Sequence, residues 1–185
     1  MGGADKALVL LSGRPLIAFA AERLEPQVEA LAVSANGDGA RFAACGLPVL
    51  PDTVPGSCGP LAGILAGLDW AAGRGAQALV SVAVDTPFFP CDLVPRLCLA
   101  ATGGGAAVAA SGGRVHPVFG LWPVALRGVL RTALAQGTRR VEDWVCLAGA
   151  ERAVAQFPVA DLDPFFNINT AADLAAAQMM QERRA

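Results

Sequence analysis

Lys6 follows a glycine pair and an aspartate in the opening stretch Met1-Gly2-Gly3-Ala4-Asp5-Lys6. That combination suits a phosphate chain, which needs backbone N–H groups to cradle its oxygens and a cation to offset its charge. Three more polar side chains stand where apolar runs stop. Asn36 follows Leu-Ala-Val-Ser-Ala, Asp52 follows Pro-Val-Leu-Pro, and Asp85 follows Leu-Val-Ser-Val-Ala-Val. In an open α/β sheet, ligands collect outside the carboxyl ends of the strands. A nucleoside triphosphate also needs magnesium, whose preferred ligands are one or two carboxylates plus phosphate oxygens, and Asp85 is the best-placed carboxylate. Taken singly, each residue has a simpler role, because Asn in Ser-Ala-Asn-Gly and Asp in Asp-Thr-Pro are ordinary turn residues. Together with Lys6 they outline a phosphate and metal pocket.

Several classes are disfavoured. The loop lacks the G-x-x-x-x-G-K-[ST] pattern of P-loop NTPases, and no G-x-G-x-x-G follows a strand as in dinucleotide dehydrogenases. A net charge of −2 offers no general attraction to nucleic acid or anionic membrane, so an anionic ligand has to be held by local charge. No basic region leads into a continuous apolar stretch, and the apolar runs break well short of about 18 residues, so neither a secretory signal nor a membrane span is expected. Cys45, Cys58, Cys91, Cys98 and Cys146 contain no C-x-x-C pair, and there is one histidine, which argues against zinc. Buried or half-buried free thiols in a reducing cytosol are expected.

The elements that must position these residues alternate in type. At 185 residues, 54% hydrophobic and 16% charged, the chain suits one domain over 1–185 with a sizeable core. Pro15 opens a helix with Leu16, Ala20 and Leu24 on one face. Short strands are predicted in Glu-Ala-Leu-Ala-Val-Ser-Ala-Asn and Gly-Leu-Pro-Val-Leu-Pro-Asp, and a helix from Gly59-Pro60 to Gly73. The run before Asp85 reads as a strand covered on both faces. Further helices are predicted at 91–101, 124–137, 139–149 and 169–184. Strands are predicted on either side of Gly112-Gly113 and again in Ala-Val-Ala-Gln-Phe-Pro-Val. This alternation implies an α/β fold with a mainly parallel sheet. Trp70, Trp122 and Trp144 sit in apolar settings and read as core.

The order of Met-Gly-Gly-Ala-Asp-Lys, Ser-Ala-Asn-Gly, Gly-Pro-Leu-Ala-Gly-Ile, Asp-Thr-Pro-Phe, His-Pro-Val-Phe and Asn-Ile-Asn-Thr resembles the molybdenum cofactor guanylyltransferase family from the first residue to the last helix. The resemblance implies a three-layer Rossmann-like nucleotidyltransferase fold and transfer of GMP from GTP to molybdopterin-bound molybdenum, with release of pyrophosphate. By the same resemblance, Lys6 meets the GTP phosphates, Asn36 and Asp52 line the guanosine pocket, and Asp85 binds magnesium (Mg2+). His116, Arg139, Arg140, Asn167 and Asn169 are candidates to hold the second, anionic substrate. Each also has a structural alternative: a satisfied histidine, a solvated helix start, a helix cap. The implied partners are GTP, molybdenum-loaded molybdopterin and other maturation proteins of that cofactor, in the cytoplasm.

The chain departs from the family at its start. Members begin with an apolar strand and a glycine-rich loop, of which this sequence keeps only the closing Met1-Gly2-Gly3. The expected consequence is an α/β sheet with its first strand missing and bare strand edges in its middle. A start assigned too far downstream explains this, and so does a genuinely short form. Two other functions stay open on the sequence: a sibling that uses CTP on the same pterin, and a non-catalytic module that binds the pterin or a partner.

Overall fold

The computed structural model describes residues 5–54, 59–160 and 163–182. The glycine pair Gly2-Gly3 and Cys58 lie outside them. A 3-10 turn (Lys6–Leu8) leads into a small hairpin of β1 (Leu10–Leu11) and β2 (Arg14–Pro15). Ser12 and Gly13 both take positive φ, as a two-residue hairpin turn requires. Then come α1 (Leu16–Leu24), β3 (Val33–Ser34), β4 (Val49–Leu50), α2 (Pro60–Gly73), β5 (Ala78–Ser81) and α3 (Leu93–Ala100). The chain continues through β6 (Ala107–Ser111), β7 (Arg114–Pro123), α4 (Arg127–Ala135), α5 (Val141–Leu147), β8 (Val154–Phe157) and α6 (Ala171–Glu182).

Three layers result, because the strands alternate their side chains between two apolar faces. Val108 and Trp122 pack with Leu61, Leu65 and Leu68 of α2, Leu130 of α4 and Trp144 of α5. Ala107, Ala109, Phe119 and Leu121 pack on the opposite side with Ala20 and Leu24 of α1 and Leu93 and Leu97 of α3. The face predicted for α1 is the one that is buried.

Four strands are joined in the order β5-β7-β6-β8. β7 runs antiparallel to β5 and β6, while β6 and β8 are parallel, so β5, β6 and β8 share one direction. Only β7 runs the other way, because Gly112 and Gly113, both at positive φ, fold it back on β6 as a tight hairpin. The β6–β7 register shifts between Val108 and Ala109, which pair with Gly120 and His116. Pro117 lies in the skipped stretch and has no N–H to give the ladder.

β3 and β4 form a separate parallel pair. Among the described residues no strand joins β3 to β5, and a cleft of about 1230 Å³ opens between them, lined by Ile17, Leu24, Val33, Ile64, Leu79 and Val82 among others. Among the described residues the sheet is thus open between β3 and β5. β5 is packed on both faces as expected, Leu79 toward α2 and Ala78 and Val80 toward α3, yet Ala78–Ser81 are only half-buried because one edge borders the cleft.

The cysteines are more exposed than expected. Cys45 is half-buried, but Cys91, Cys98 and Cys146 are exposed free thiols. Cys98 follows buried Leu97 and Cys146 follows buried Val145, so the helical period turns each one outward. Trp122 and Trp144 are core residues, whereas Trp70 is half-buried on the cleft wall with Arg74 over its ring at 5.1 Å.

Gly120 is the tightest point of the sheet. A Cβ there would enter the volume of the Trp122 ring, which is fully buried and fixed by an Nε1–H bond of 2.8 Å to Ser81 Oγ. Gly120→Ala is expected to lower unfolding free energy by about 1–3 kcal/mol or more, read from the urea midpoint at constant slope.

Candidate functional site

Asp5 starts the site. Its Oδ1 accepts the Ala7 amide at 3.1 Å and so caps the 3-10 turn that carries Lys6. Ala7 anchors the turn by packing with Ile17, Val33 and Phe42. Lys6 Nζ then donates to Asp85 Oδ2 at 3.1 Å and to Asn169 Oδ1 at 2.5 Å. Asp85 lies four residues beyond the end of β5 and lines the cleft.

The segment before α6 is fastened to the same place. Ile168 donates its amide to the Asp85 carbonyl at 2.7 Å, and the fully buried Thr86 hydroxyl donates to Asn167 Oδ1. The Asn169 and Thr170 amides donate to Asp173 Oδ2 at 3.0 and 2.8 Å, while Thr170 Oγ1 accepts the Asp173 amide at 3.1 Å. This is a capping box, with Thr170 as the cap. The Asn169 amide bond, then the Thr170 bonds, hold the Asp173 carboxyl below its ordinary range. Asn169 is therefore set both by a helix start and by the lysine.

Asn36 and Asp52 form a second cluster. Asn36 Nδ2 donates to Asp52 Oδ2 at 2.7 Å, and the Asp52 amide donates back to Asn36 Oδ1 at 2.9 Å. The exchange joins the loops that follow β3 and β4, which pair side by side. Both residues line the same cleft as Asp85 and Asn167. Of the residues expected to meet the nucleotide, Lys6 and Asp85 touch, as do Asn36 and Asp52.

The remaining candidates are placed elsewhere. His116 Nε2 lies 2.7 Å from Ser111 Oγ, and that hydroxyl donates to Asp163 Oδ1 at 2.6 Å. Because the hydroxyl proton goes to the carboxylate, Nε2 is the donor to Ser111. The imidazole stacks on Phe165 with centroids 4.3 Å apart. Arg139 donates to the Leu134 and Thr138 carbonyls, both at 2.8 Å, and so finishes the end of α4. Arg140 precedes α5, 3.8 Å from Glu142. None of these three lines the cleft.

Arg41, Ser111 and Asp163 carry no motif that sequence reasoning could have used. Ser111 and Asp163 meet across 52 positions, and nothing in the sequence signals that pairing.

Asp85 also has to be judged as a magnesium ligand. It offers one carboxylate to the cleft, and among the described residues no group of three or more His, Cys, Asp and Glu side chains surrounds it. That donor set fits magnesium carried in on phosphate oxygens and does not fit a metal held by protein alone.

Comparison with known proteins settles the family. Residues 1–152 match the MobA-like NTP transferase domain. A curated molybdenum cofactor guanylyltransferase from Cereibacter sphaeroides is 56% identical over 185 residues, covering 100% of this chain and 92% of the relative. The protein of the same name from Bradyrhizobium sp. (strain ORS 278) is 54% identical over 185 residues, covering 97% and 86%. This chain belongs to the molybdenum cofactor guanylyltransferase family. Solved structures agree on the nucleotidyltransferase fold. Molybdopterin-guanine dinucleotide biosynthesis protein A from Archaeoglobus fulgidus superposes with a TM-score of 0.69 at 23% identity, over 98% of this chain and 92% of that one. The 2-C-methyl-D-erythritol 4-phosphate cytidylyltransferase from Thermus thermophilus gives 0.65 at 21%, over 96% and 94%. No helix among the described residues is long and apolar enough to cross a membrane.

His116 makes one part of this arrangement sensitive to pH. Burial lowers its pKa below the ordinary 6.5, against the pull of Asp163 and with help from Arg114. The unfolded chain therefore takes up a proton before the folded one does, so this contribution to stability is complete above the ordinary value and is lost as the pH falls below it. His116→Gln is expected to flatten the fall in urea midpoint between about pH 7.5 and about pH 5.5.

Proposed function

We propose that this nucleotidyltransferase joins GMP from GTP to molybdenum-loaded molybdopterin. The curated relatives' names support the base and the acceptor. The observation that carries the phosphate chemistry is Lys6 poised 3.1 Å from Asp85 beside a cleft walled on its other side by Asn36 and Asp52.

An oxygen of the pterin's terminal phosphate attacks the α-phosphorus of GTP. A new P–O bond forms, the α–β bridge breaks, and pyrophosphate carries away the electron pair. The chain supplies no covalent nucleophile for this step. An ammonium has three donors: the bond to Asn169 keeps the group oriented, while the third N–H and the one now given to Asp85 are available for phosphate oxygens. Lys6 thereby offsets charge that grows as pyrophosphate departs. Asn36 and Asp52, locked by their mutual bonds, line the guanosine end. Asp85 holds magnesium, which when bound neutralises phosphate oxygens. Asn167 and Asn169 face the acceptor side from the segment zipped onto Asp85. The acceptor is a cofactor precursor handled with other maturation proteins in the cytoplasm, where the exposed thiols stay reduced.

Turnover of GTP to pyrophosphate with molybdenum-loaded pterin tests this reading. Lys6→Ala and Asp85→Asn are each expected to cut kcat by about 10²–10³-fold, with Asp85→Asn also losing its magnesium dependence. Their melting temperatures stay near that of the parent, because a partly exposed pair adds little stability. Preference for CTP over GTP would transfer the reading to the cytidylyl sibling. Absence of pyrophosphate from the folded parent protein would replace it with a binding module.

A further inference from the structure

We infer that Arg41 is a positioning residue that clasps the Lys6 turn to the Asn36 loop, so that the phosphate and nucleoside ends of the site move as one unit. The inference rests on the nucleotide reading above but uses residues that reading leaves idle. Arg41 sits in a 3-10 segment (Gly39–Cys45) capped by Asp38, whose Oδ1 accepts the Ala40 amide at 2.9 Å. Its guanidinium points three ways. Nε donates to Asp5 Oδ2 at 2.9 Å, one terminal nitrogen donates to the Asn36 carbonyl at 2.8 Å, and the other donates to the Asp38 carbonyl. The guanidinium carbon also lies 4.5 Å from the centre of the Phe42 ring, whose side chain is buried beside Ala7.

Both Asp5 oxygens are thus committed, Oδ1 to the turn that presents Lys6 and Oδ2 to Arg41. The Asn36 residue that exchanges bonds with Asp52 is held through its carbonyl by the same guanidinium. The three guanidinium nitrogens of Arg41 donate to Asp5, Asn36 and Asp38, so it acts on Lys6 through Asp5 and on the nucleoside end through Asn36. A planar fork with donors at fixed angles can hold an acceptor on one segment and two on another, which an ammonium cannot do. An isolated surface ion pair would contribute next to nothing. Three donors spread over two segments, with the arginine only about a third exposed, do fix a geometry. A nucleotide that spans both ends gains only if their separation is set in advance, and a misplacement of about 1 Å can cost about 10²-fold.

The experiment compares the full chain with Arg41→Gln, Arg41→Lys, Asp5→Asn and the Arg41→Gln/Asp5→Asn double variant. Amide hydrogen exchange is followed at residues 5–9, with β6 and α4 as controls, and magnesium GTP binding is measured by calorimetry. Asp5→Asn keeps an oxygen for the Ala7 cap and loses only the charged partner. Exchange at residues 5–9 is expected to rise, and GTP affinity to fall about tenfold, in Arg41→Gln and in Asp5→Asn alike, with no further loss in the double variant. Arg41→Lys should recover part of both, since it keeps a charge for Asp5 and gives up the carbonyls. Three results overturn the clasp: unchanged exchange at residues 5–9, raised exchange with unchanged GTP affinity, or equal loss of protection in β6 and α4. A parent protein that binds no nucleotide defeats the proposed function instead, and the exchange data then still decide whether Arg41 holds the Lys6 turn.

Discussion

One ammonium joins three distant parts of this chain. Lys6 meets Asp85 across 79 positions and Asn169 across 163. The opening turn, the exit from β5 and the approach to α6 therefore have to converge before a site exists. The pair is too exposed to contribute much stability, with 43% of the lysine side chain and 18% of the aspartate side chain accessible. What sets the convergence is the uncharged frame beneath it. The Ile168 amide on the Asp85 carbonyl and the buried Thr86 hydroxyl on Asn167 fix the β5 exit to the last segment. The charged groups inherit their positions from that frame.

Helix α2 spans the opening in the sheet and contacts both sides of it. Gly63 lies so near β3 that a Cβ would fall 2.5 Å from Ser34 Oγ, and at Gly67 a Cβ would fall 2.8 Å from Leu79 Cδ2 of β5. The two glycines are one turn apart and present their bare backbone to the two halves in succession. Each glycine costs a helix interior about 1 kcal/mol relative to alanine. Here the cost is offset by close approach, which sets the distance between the β3–β4 pair with Asn36 and Asp52 and the β5 side with Asp85.

The sequence revealed most where a pattern is local. The buried stripe of α1 and the turn at Gly112-Gly113 each depend on residues a few positions apart, and both are found in the structure. Asn36, Asp52 and Asp85 were legible because strand ends are where an α/β sheet exposes polar side chains. The rest depends on contacts the order of residues does not encode. Arg41 lies in a stretch of glycine and alanine with no motif around it, and only the fold carries its guanidinium to Asp5, 36 positions away. His116 looked equally suited to a ligand and to the core. Its bond to Ser111, which a carboxylate 52 positions further on completes, could not be read from its neighbours Val115 and Pro117. The half-burial of β5 was missed for a related reason, since a run of valine and alanine says nothing about whether its flank is filled.

Charge arithmetic within the site bears on how a nucleotide enters. Arg41 is spent on Asp5, Lys6 is paired with Asp85 and Arg74 lies over Trp70, while the cleft is lined by three carboxylates, Glu29, Asp52 and Asp85. A triphosphate approaching unaccompanied would meet more negative than positive charge and would have to pull Lys6 from Asp85 while leaving that carboxylate bare. On the proposed reading, a triphosphate that carries its own divalent cation resolves both difficulties together. Asp85 gains a new partner as it releases the lysine, and Lys6 is freed toward the phosphate oxygens at no cost in unpaired charge. On that reading the ion pair is a resting arrangement whose two halves would be claimed by the two charges of one ligand.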